Sequence, residues 1–163
     1  MTIINVQNFQ IRKNGVNLLQ KKQLKKTIVM TSKTTYLGDS KIESVHEASG
    51  DVFSTYVPSN DFTVREHFSP TDIFATALAE SAFASLVVLG KDRNMDITGA
   101  TCELKKTMYF EPRRIGEIFA VFKFLHSYTA EEQEFIEQTV RGSAVYLSLH
   151  PDIKKILLFE YKD

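Results

Sequence analysis

The chain contains few of the residues that mark several special classes of protein. Its single cysteine, Cys102, cannot form a disulfide within the chain. Its 4 prolines and 7 glycines are scattered over 163 residues, with no Pro/Gly/Ser-rich linker, low-complexity tract or internal repeat. We therefore expect one folded domain over residues 1–163, and not a disulfide scaffold, a repeat array or a disordered chain.

An excess of charge of one sign is also missing. Lys plus Arg and Asp plus Glu number 20 each, so the net charge is zero and does not favour nucleic acid or an anionic membrane surface. The first residues lack the basic region and apolar core of a signal peptide. The most apolar stretch, Ile73–Gly90, carries Glu80 in its middle and fits a soluble helix better than a membrane span. We expect a cytoplasmic protein without nucleic-acid or membrane partners.

Short stretches rich in β-branched and aromatic residues predict six strands. They are Thr27–Tyr36, Lys41–Val45, Val52–Val57, Ile97–Phe110, Ile115–Leu125 and Ile153–Tyr161. The turn-forming pair Gly38-Asp39 predicts that the first three form an antiparallel meander, and the turn around Pro112 predicts a second hairpin. Residues 1–26 carry only a weak signal for a leading strand and stay unassigned.

Two helices are predicted between these strands. Ser69 before Pro70 is a strong helix start, and the helix runs to Gly90 with small or apolar residues on every side except at Glu80. Burial on nearly every side suits a subunit interface. Thr129 and Glu132 form a capping box that opens a second helix, whose apolar face is predicted to hold Ile136, Val140, Ser143 and Leu147. The order predicts an α+β fold and not a parallel βαβ fold.

Three motifs carry a resemblance to a known family. The run 69–86, Ser-Pro-Thr-Asp-Ile-Phe-Ala-Thr-Ala-Leu-Ala-Glu-Ser-Ala-Phe-Ala-Ser-Leu, resembles the helix signature of the OsmC/Ohr (osmotically inducible protein C and organic hydroperoxide resistance) proteins. Pro112-Arg-Arg-Ile115 resembles the family's next hairpin, and Ser143-Ala-Val-Tyr-Leu-Ser-Leu149 its second signature. The order and spacing agree from about Thr27 to Phe159.

The resemblance implies an OsmC-like fold, with antiparallel sheets wrapped around two long central helices in an intertwined homodimer. It also implies two pockets at the subunit interface. His46, His126 and His150 are scattered singly without metal-ligand spacing, so we expect no metal, and we expect no cofactor. In active members, a thiolate attacks the peroxide O–O bond, becomes a sulfenic acid and is resolved by a second cysteine.

This chain departs from that chemistry at each key position. The reactive cysteine corresponds to Ser81, the resolving cysteine to Ser143 and the family's glutamate to Thr71. A serine hydroxyl cannot cycle through sulfenic acid and disulfide, so the known mechanism is lost. From spacing alone, the simplest interpretation of the serines is close helix packing, with each hydroxyl bonded to a carbonyl one turn earlier.

Two enzymatic alternatives stay open. Cys102 is a candidate peroxidatic thiol, although a lone cysteine in a strand is usually a packed hydrophobe. Ser81 is a candidate hydrolytic nucleophile with His67 as its base, although Ala-Glu-Ser-Ala-Phe lacks the glycines of a nucleophile elbow.

Polar residues near the two serines mark a candidate binding cleft. If Glu80 lies in an interface, its carboxylate should be paired with a cation, be protonated, or face a water-filled cavity. Arg65 is one conceivable partner. His67, Tyr146, Ser81 and Ser143 complete the candidate cleft. We expect a homodimer without thiol peroxidase activity whose cleft binds a small molecule.

Overall fold

The computed structural model describes residues 29–57 and 67–162. The chain divides into two compact units, the first ending at His67 and the second beginning at Phe68. Residues 1–26 lie outside the described residues. A single domain over residues 1–163 stays a prediction.

The first unit holds a three-stranded antiparallel sheet. Its strands are β1 (Ser32–Gly38), β2 (Lys41–His46) and β3 (Val52–Tyr56), in the order β1-β2-β3. The predicted meander is therefore confirmed. The turn lies one residue later than predicted, at Asp39 and Ser40, which both have positive φ, as a two-residue hairpin turn of this kind requires.

The second unit begins with helix α1 (Pro70–Gly90). The predicted start is confirmed, because the Ser69 Oγ accepts the Asp72 N–H and the Asp72 Oδ2 accepts the Ser69 N–H at 2.8 Å. Among the described residues, Pro70–Arg93 is the one helical segment apolar enough to cross a membrane by length and composition. The core helix of a soluble protein meets the same criterion.

Helix α1 buries one face only, so the expectation of burial on nearly every side is not met within one chain. The buried face consists of Ala75, Leu78, Ala79, Ala82, Leu86 and Gly90. On other sides Phe74, Val87 and Val88 are 47%, 63% and 70% exposed, and Glu80 is exposed as well. The physical reason is that the single sheet and the other helices of this unit pack against one side of the helix.

The second sheet contains β4 (Thr101–Phe110), β5 (Arg113–Phe124) and β6 (Lys154–Tyr161) in that order. The predicted β4–β5 hairpin is antiparallel, as expected. In contrast, β6 runs parallel to β5, because helices carry the chain back across the sheet before β6 begins. The fold is α+β, but the expectation of purely antiparallel sheets without a βαβ crossover is wrong for this sheet.

The core of the second unit lies between this sheet and the helices. Alternate residues of β5 face it, and Ile118, Ala120 and Phe122 are fully buried. The Phe122 ring stacks on Phe159 of β6 at 5.5 Å and meets Phe83 of α1 edge-on at 5.7 Å. The apolar contact that fixes α1 on the sheet is therefore centred on Phe122.

The second predicted helix is two helices. Helix α2 (Ala130–Arg141) opens with the predicted capping box, and α3 (Ala144–Ser148) follows after Gly142 and Ser143. The predicted apolar stripe consequently breaks, and Leu147 is 70% exposed. Ser143 has extended backbone angles, φ −65° and ψ 149°, which end the helical path.

Candidate functional site

Ser81 lies in the middle of α1 and connects that helix to α3. Its Oγ accepts a hydrogen bond from the Val145 N–H at 3.2 Å. The expected bond to a carbonyl one turn earlier is made by Ser85, whose Oγ–H donates to the Ser81 carbonyl at 2.8 Å. The Ser81 hydroxyl thus holds two helices together.

Ser143 occupies the position before α3 and is 1% exposed. A serine at this position usually accepts an amide of the first helical turn, but Ser143 makes no such bond. Its Oγ is a buried polar atom without a hydrogen-bond partner among the described residues. One amide of that turn, the Val145 N–H, has its acceptor in Ser81 on the neighbouring helix.

The structure therefore brings the two predicted serine positions to one junction between α1 and α3. Sequence reasoning placed Ser143 inside a continuous helix, because Val140, Ser143 and Leu147 recur at helical spacing. The local signal against that interpretation is Gly142, since glycine is a poor residue for a helix interior. Its amide closes the end of α2 on the Gln138 carbonyl at 2.8 Å.

Tyr146, another predicted cleft residue, packs against the hydrophobic core of the second unit. It lies next to Val145 on α3 and is half-buried, and the Lys155 Nζ lies 5.5 Å from the centre of its ring. Sequence reasoning did not include Lys155. The feature that could have identified it is its position on β6: Lys155 pairs with the buried Ile118 of β5, where a hydrophobic residue is expected.

Thr71, at the position of the family's glutamate, makes a local bond: its Oγ1 lies 3.1 Å from the Ser69 Oγ. The carboxylate of the next residue, Asp72, pairs instead with Lys106 of β4, with Oδ1 and Nζ 2.5 Å apart. The two side chains are 25% and 7% exposed. Sequence reasoning missed this pair, although Lys106 alternates with Leu104 and Met108 on the half-buried face of β4.

The ion pair keeps Asp72 ionised. Burial by itself raises the pKa of this carboxyl, but the bond from Lys106 and those from Ser69 outweigh burial and hold the pKa below its ordinary value of 3.8. Asp72 precedes Ser81 by two and a half turns, about 13.5 Å along α1 and on the opposite side of the helix. The pair therefore anchors the start of α1 and is not part of the Ser81 junction.

The remaining predicted site residues are not gathered at this junction by the described structure. Glu80 is exposed on α1, about 100° around the helix from Ser81. Arg65, its suggested partner, lies outside the described residues. His67 belongs to the first unit, where its ring stacks on Tyr56 with centroids 4.1 Å apart.

Cys102 is half-buried on β4, opposite Phe122 of β5, and packs against the core. Burial, assisted by the charge of Glu103, raises the pKa of its thiol to about 11. About one Cys102 side chain in ten thousand is then a thiolate at pH 7, the reverse of what a peroxidatic cysteine needs.

Solved structures resemble this chain over most of its length. A protein from Psychrobacter arcticus, named for osmotic stress induction and the detoxification response, is 31% identical, with a TM-score of 0.78 over 84% of this chain and 100% of that one. An OsmC-like protein from Mycoplasma pneumoniae is 13% identical, with a TM-score of 0.68 over 81% and 96% of the two chains.

More distant similarity extends to a protein named for hydroperoxide resistance. The organic hydroperoxide resistance protein OhrB of Bacillus subtilis is 14% identical, with a TM-score of 0.58 over 80% of this chain and 98% of its own. No family model matches the chain, and no curated protein matches it significantly. The Psychrobacter protein is similar enough in sequence to indicate common descent, whereas the two others support the fold alone.

Proposed function

Because this chain belongs to the OsmC/Ohr family, we propose that it is a cytoplasmic homodimer that has lost thiol peroxidase chemistry and binds a small molecule beside Ser81 and Ser143. The observation that carries the proposal is the junction of α1 and α3. There, hydroxyl groups lie at both positions that the motif resemblance assigns to the sulfurs of active relatives, and the Ser81 Oγ accepts the Val145 N–H at 3.2 Å.

The chemistry of oxygen supports the loss of activity. Peroxide reduction in this family requires a thiolate that takes one oxygen atom as a sulfenic acid, and then a second thiol that forms the disulfide. Neither Ser81 nor Ser143 can accept that oxygen. The Ser143 hydroxyl is moreover buried.

The alternatives have weaker support. A thiol with a pKa of about 11 on a core strand argues against Cys102 as the attacking group. Ser81 lies within a helix, and its Oγ is already an acceptor for a backbone amide. Within the described part of the second unit, no His, Asp or Glu side chain hydrogen bonds to Ser81, as a general base would.

Dimerisation is supported by the exposed apolar side of α1. Val87, Val88 and Phe74 are exposed on a helix whose opposite face is fully packed, and Leu147 of α3 is exposed as well. A soluble monomer rarely leaves so many large apolar residues on one helix in water. Light scattering at micromolar concentration should give twice the mass of one chain; a stable monomer would contradict the proposal.

Peroxidase loss is tested with the wild-type protein, Cys102→Ser and the double variant Ser81→Cys/Ser143→Cys. We expect wild type and Cys102→Ser to consume organic hydroperoxide, with dithiothreitol or a lipoyl-type reductant, no faster than the reductant alone. Turnover that disappears in Cys102→Ser would assign the activity to Cys102. Turnover that persists in Cys102→Ser would show that sulfur is not needed.

The double variant is the matched positive control. If the junction keeps the geometry of an active relative, peroxide should convert its two cysteines into a disulfide, with the loss of two hydrogen atoms from the mass. Formation of this disulfide together with turnover would show that the serines account for the inactivity. A correctly folded double variant without either would show that other parts of the site have changed too.

Ligand binding is tested by a thermal-shift screen of small carboxylates, thiols, lipids and peroxide analogues. A compound that binds the folded state raises the unfolding temperature by mass action. Glu80→Gln and Arg65→Ala serve as the variants, because these are the charged residues proposed to border the cleft. A compound that stabilises wild type but fails to stabilise either variant supports a retained binding site. Compounds that stabilise wild type and both variants equally would count against Glu80 and Arg65 as binding residues.

A further inference from the structure

Lys155 interrupts the apolar inner face of β6. Four residues of this strand pair with buried residues of β5 and share their side of the sheet: Lys155, Leu157, Phe159 and Tyr161. Lys155 is the one charged residue among these four. A lysine at this position gives up part of the packing that an apolar side chain would provide.

The ammonium group of Lys155 forms no ion pair with any carboxylate in residues 29–57 and 67–162. Its neighbour Lys154 pairs with Glu117, with Nζ and Oε2 3.1 Å apart. The Lys155 Nζ lies instead 5.5 Å from the centre of the Tyr146 ring. An aromatic ring attracts a cation but does not neutralise it. Because Lys155 is only partly buried, a dissolved anion can reach its ammonium group.

Three hydroxyl groups in the first turn of α3, or next to it, are donors without an acceptor in the part of the chain that the structure describes. Tyr146 lies in that turn, and Ser143 directly precedes it. The Ser81 Oγ accepts the Val145 N–H of the same turn, but its own O–H donates to no described group. Ser143 is 1% exposed and has no partner either. The turn is therefore rich in donors and poor in acceptors.

We infer that the ligand of the proposed cleft is a monocarboxylate whose anionic group binds Lys155 and the Tyr146 hydroxyl. The inference rests on the proposed function and adds the chemical class of the ligand. A carboxylate has two oxygens, so one accepts from the ammonium group and the other from a hydroxyl. One lysine neutralises one negative charge, whereas a bound dianion such as phosphate would keep a second charge unpaired.

The cost of Lys155 to the unliganded protein supports a role in binding. A charge held against the core loses part of its hydration, and no described carboxylate compensates it. Residues that break a local pattern in this way are expected at functional sites. Unliganded Lys155→Met, which keeps a long side chain and removes the charge, should therefore fold and melt at least as high as wild type. Lys154→Met removes an ion pair and should not raise the melting temperature.

Binding of hexanoate tests the inference, with hexanamide as a neutral compound of the same length. Isothermal titration calorimetry at pH 7 should show that wild type binds hexanoate about tenfold or more tightly than hexanamide, because only hexanoate makes a charge-assisted bond to Lys155. Lys155→Met should lose this preference, and Lys155→Arg should keep most of it. Tyr146→Phe should weaken hexanoate binding about threefold, since it removes one hydrogen-bond donor.

Lys154→Met is the matched control. Adjacent residues of a strand point to opposite faces of the sheet, so Lys154 is a neighbouring lysine that lies on the other side of β6 from Tyr146. Its loss should leave the affinity for hexanoate unchanged. Equal weakening in Lys154→Met and Lys155→Met would indicate a general attraction of anions to the protein and would overturn the inference.

The remaining outcomes separate the ligand class from the binding function. If Lys155→Met binds hexanoate as wild type does, Lys155 only extends its charge into solvent, and the inference is overturned. Tighter binding of inorganic phosphate than of hexanoate would overturn the carboxylate class. Wild type that binds other compounds of the thermal-shift screen but not hexanoate would overturn the inference and leave the binding function standing. Wild type that binds none of them would overturn the binding function itself.

Discussion

Replacing the junction serines by alanine should affect stability differently: Ser81→Ala should destabilise the protein, whereas Ser143→Ala should not. Ser81→Ala removes the acceptor of the Val145 N–H, which is an amide of the first turn of α3. Loss of a capping acceptor costs about 0.5–2 kcal/mol, and an amide left without a partner moves the value toward the upper end. Ser143→Ala removes a buried hydroxyl that has no partner, so it should be neutral or stabilise by up to about 1 kcal/mol.

The measurement is urea unfolding followed by far-UV circular dichroism, with all proteins at one concentration because a dimer's stability depends on it. For a chain of this size, Ser81→Ala should lower the melting temperature by about 1–8 °C. Ser85→Ala is the matched control: its hydroxyl bonds only to its own helix, so its loss should be small.

The reverse order of stabilities would contradict these expectations. If Ser143→Ala were the more destabilising variant, its hydroxyl would have a partner that the structure does not show. If Ser81→Ala matched Ser85→Ala, the bond between α1 and α3 would contribute nothing measurable. A changed m-value would instead indicate that the variant altered the unfolded state or the two-state transition.

Further predictions concern the buried ion pair and the cysteine. The pKa of Asp72 is lowered in the folded state, so its pair with Lys106 stabilises the protein above pH 4, and this contribution is lost as acid titrates the folded carboxyl. Urea unfolding should therefore show stability falling below pH 4, and Asp72→Asn should flatten that decline; an unchanged decline would assign it to other carboxyls. Lys106→Met should cost about 2 kcal/mol at pH 7 by leaving Asp72 without its charged partner, and a neutral result would mean that solvent replaces Lys106. Cys102 should react slowly with iodoacetamide at pH 7 and faster by about tenfold per pH unit as its pKa of about 11 is approached, whereas rapid labelling of the folded protein at pH 7 would contradict the burial of its thiol.

Elements with local signals were predictable from the sequence. Both capping boxes, at Ser69 and Thr129, involve residues three apart, and both helices begin where these signals place them. The β1–β2 and β4–β5 hairpins also depend on short connections. Such elements need little information from the rest of the chain.

Features that depend on distant contacts were missed. The break before Ser143 places the α3 amide within reach of Ser81, a residue more than sixty positions earlier, and helical spacing alone does not contain that contact. The same holds for Lys106 and Asp72, which only the packing of β4 against α1 brings together. The direction of β6 likewise follows from the crossover and not from its own residues.

The parallel pairing of β5 with β6 has a consequence for synthesis on the ribosome. One edge of β5 stays unpaired until β6 has been synthesised, and β6 follows α2 and α3 in the chain. Until then Phe122 lacks Phe159, the ring on which it stacks. At 5–20 residues per second, the interval from the end of β5 to the end of β6 lasts about 2–7 s. During that time an unpaired strand and an open core are available to chaperones and to incorrect partners. The translation of β6 therefore decides whether the nascent second unit is native or aggregation-prone.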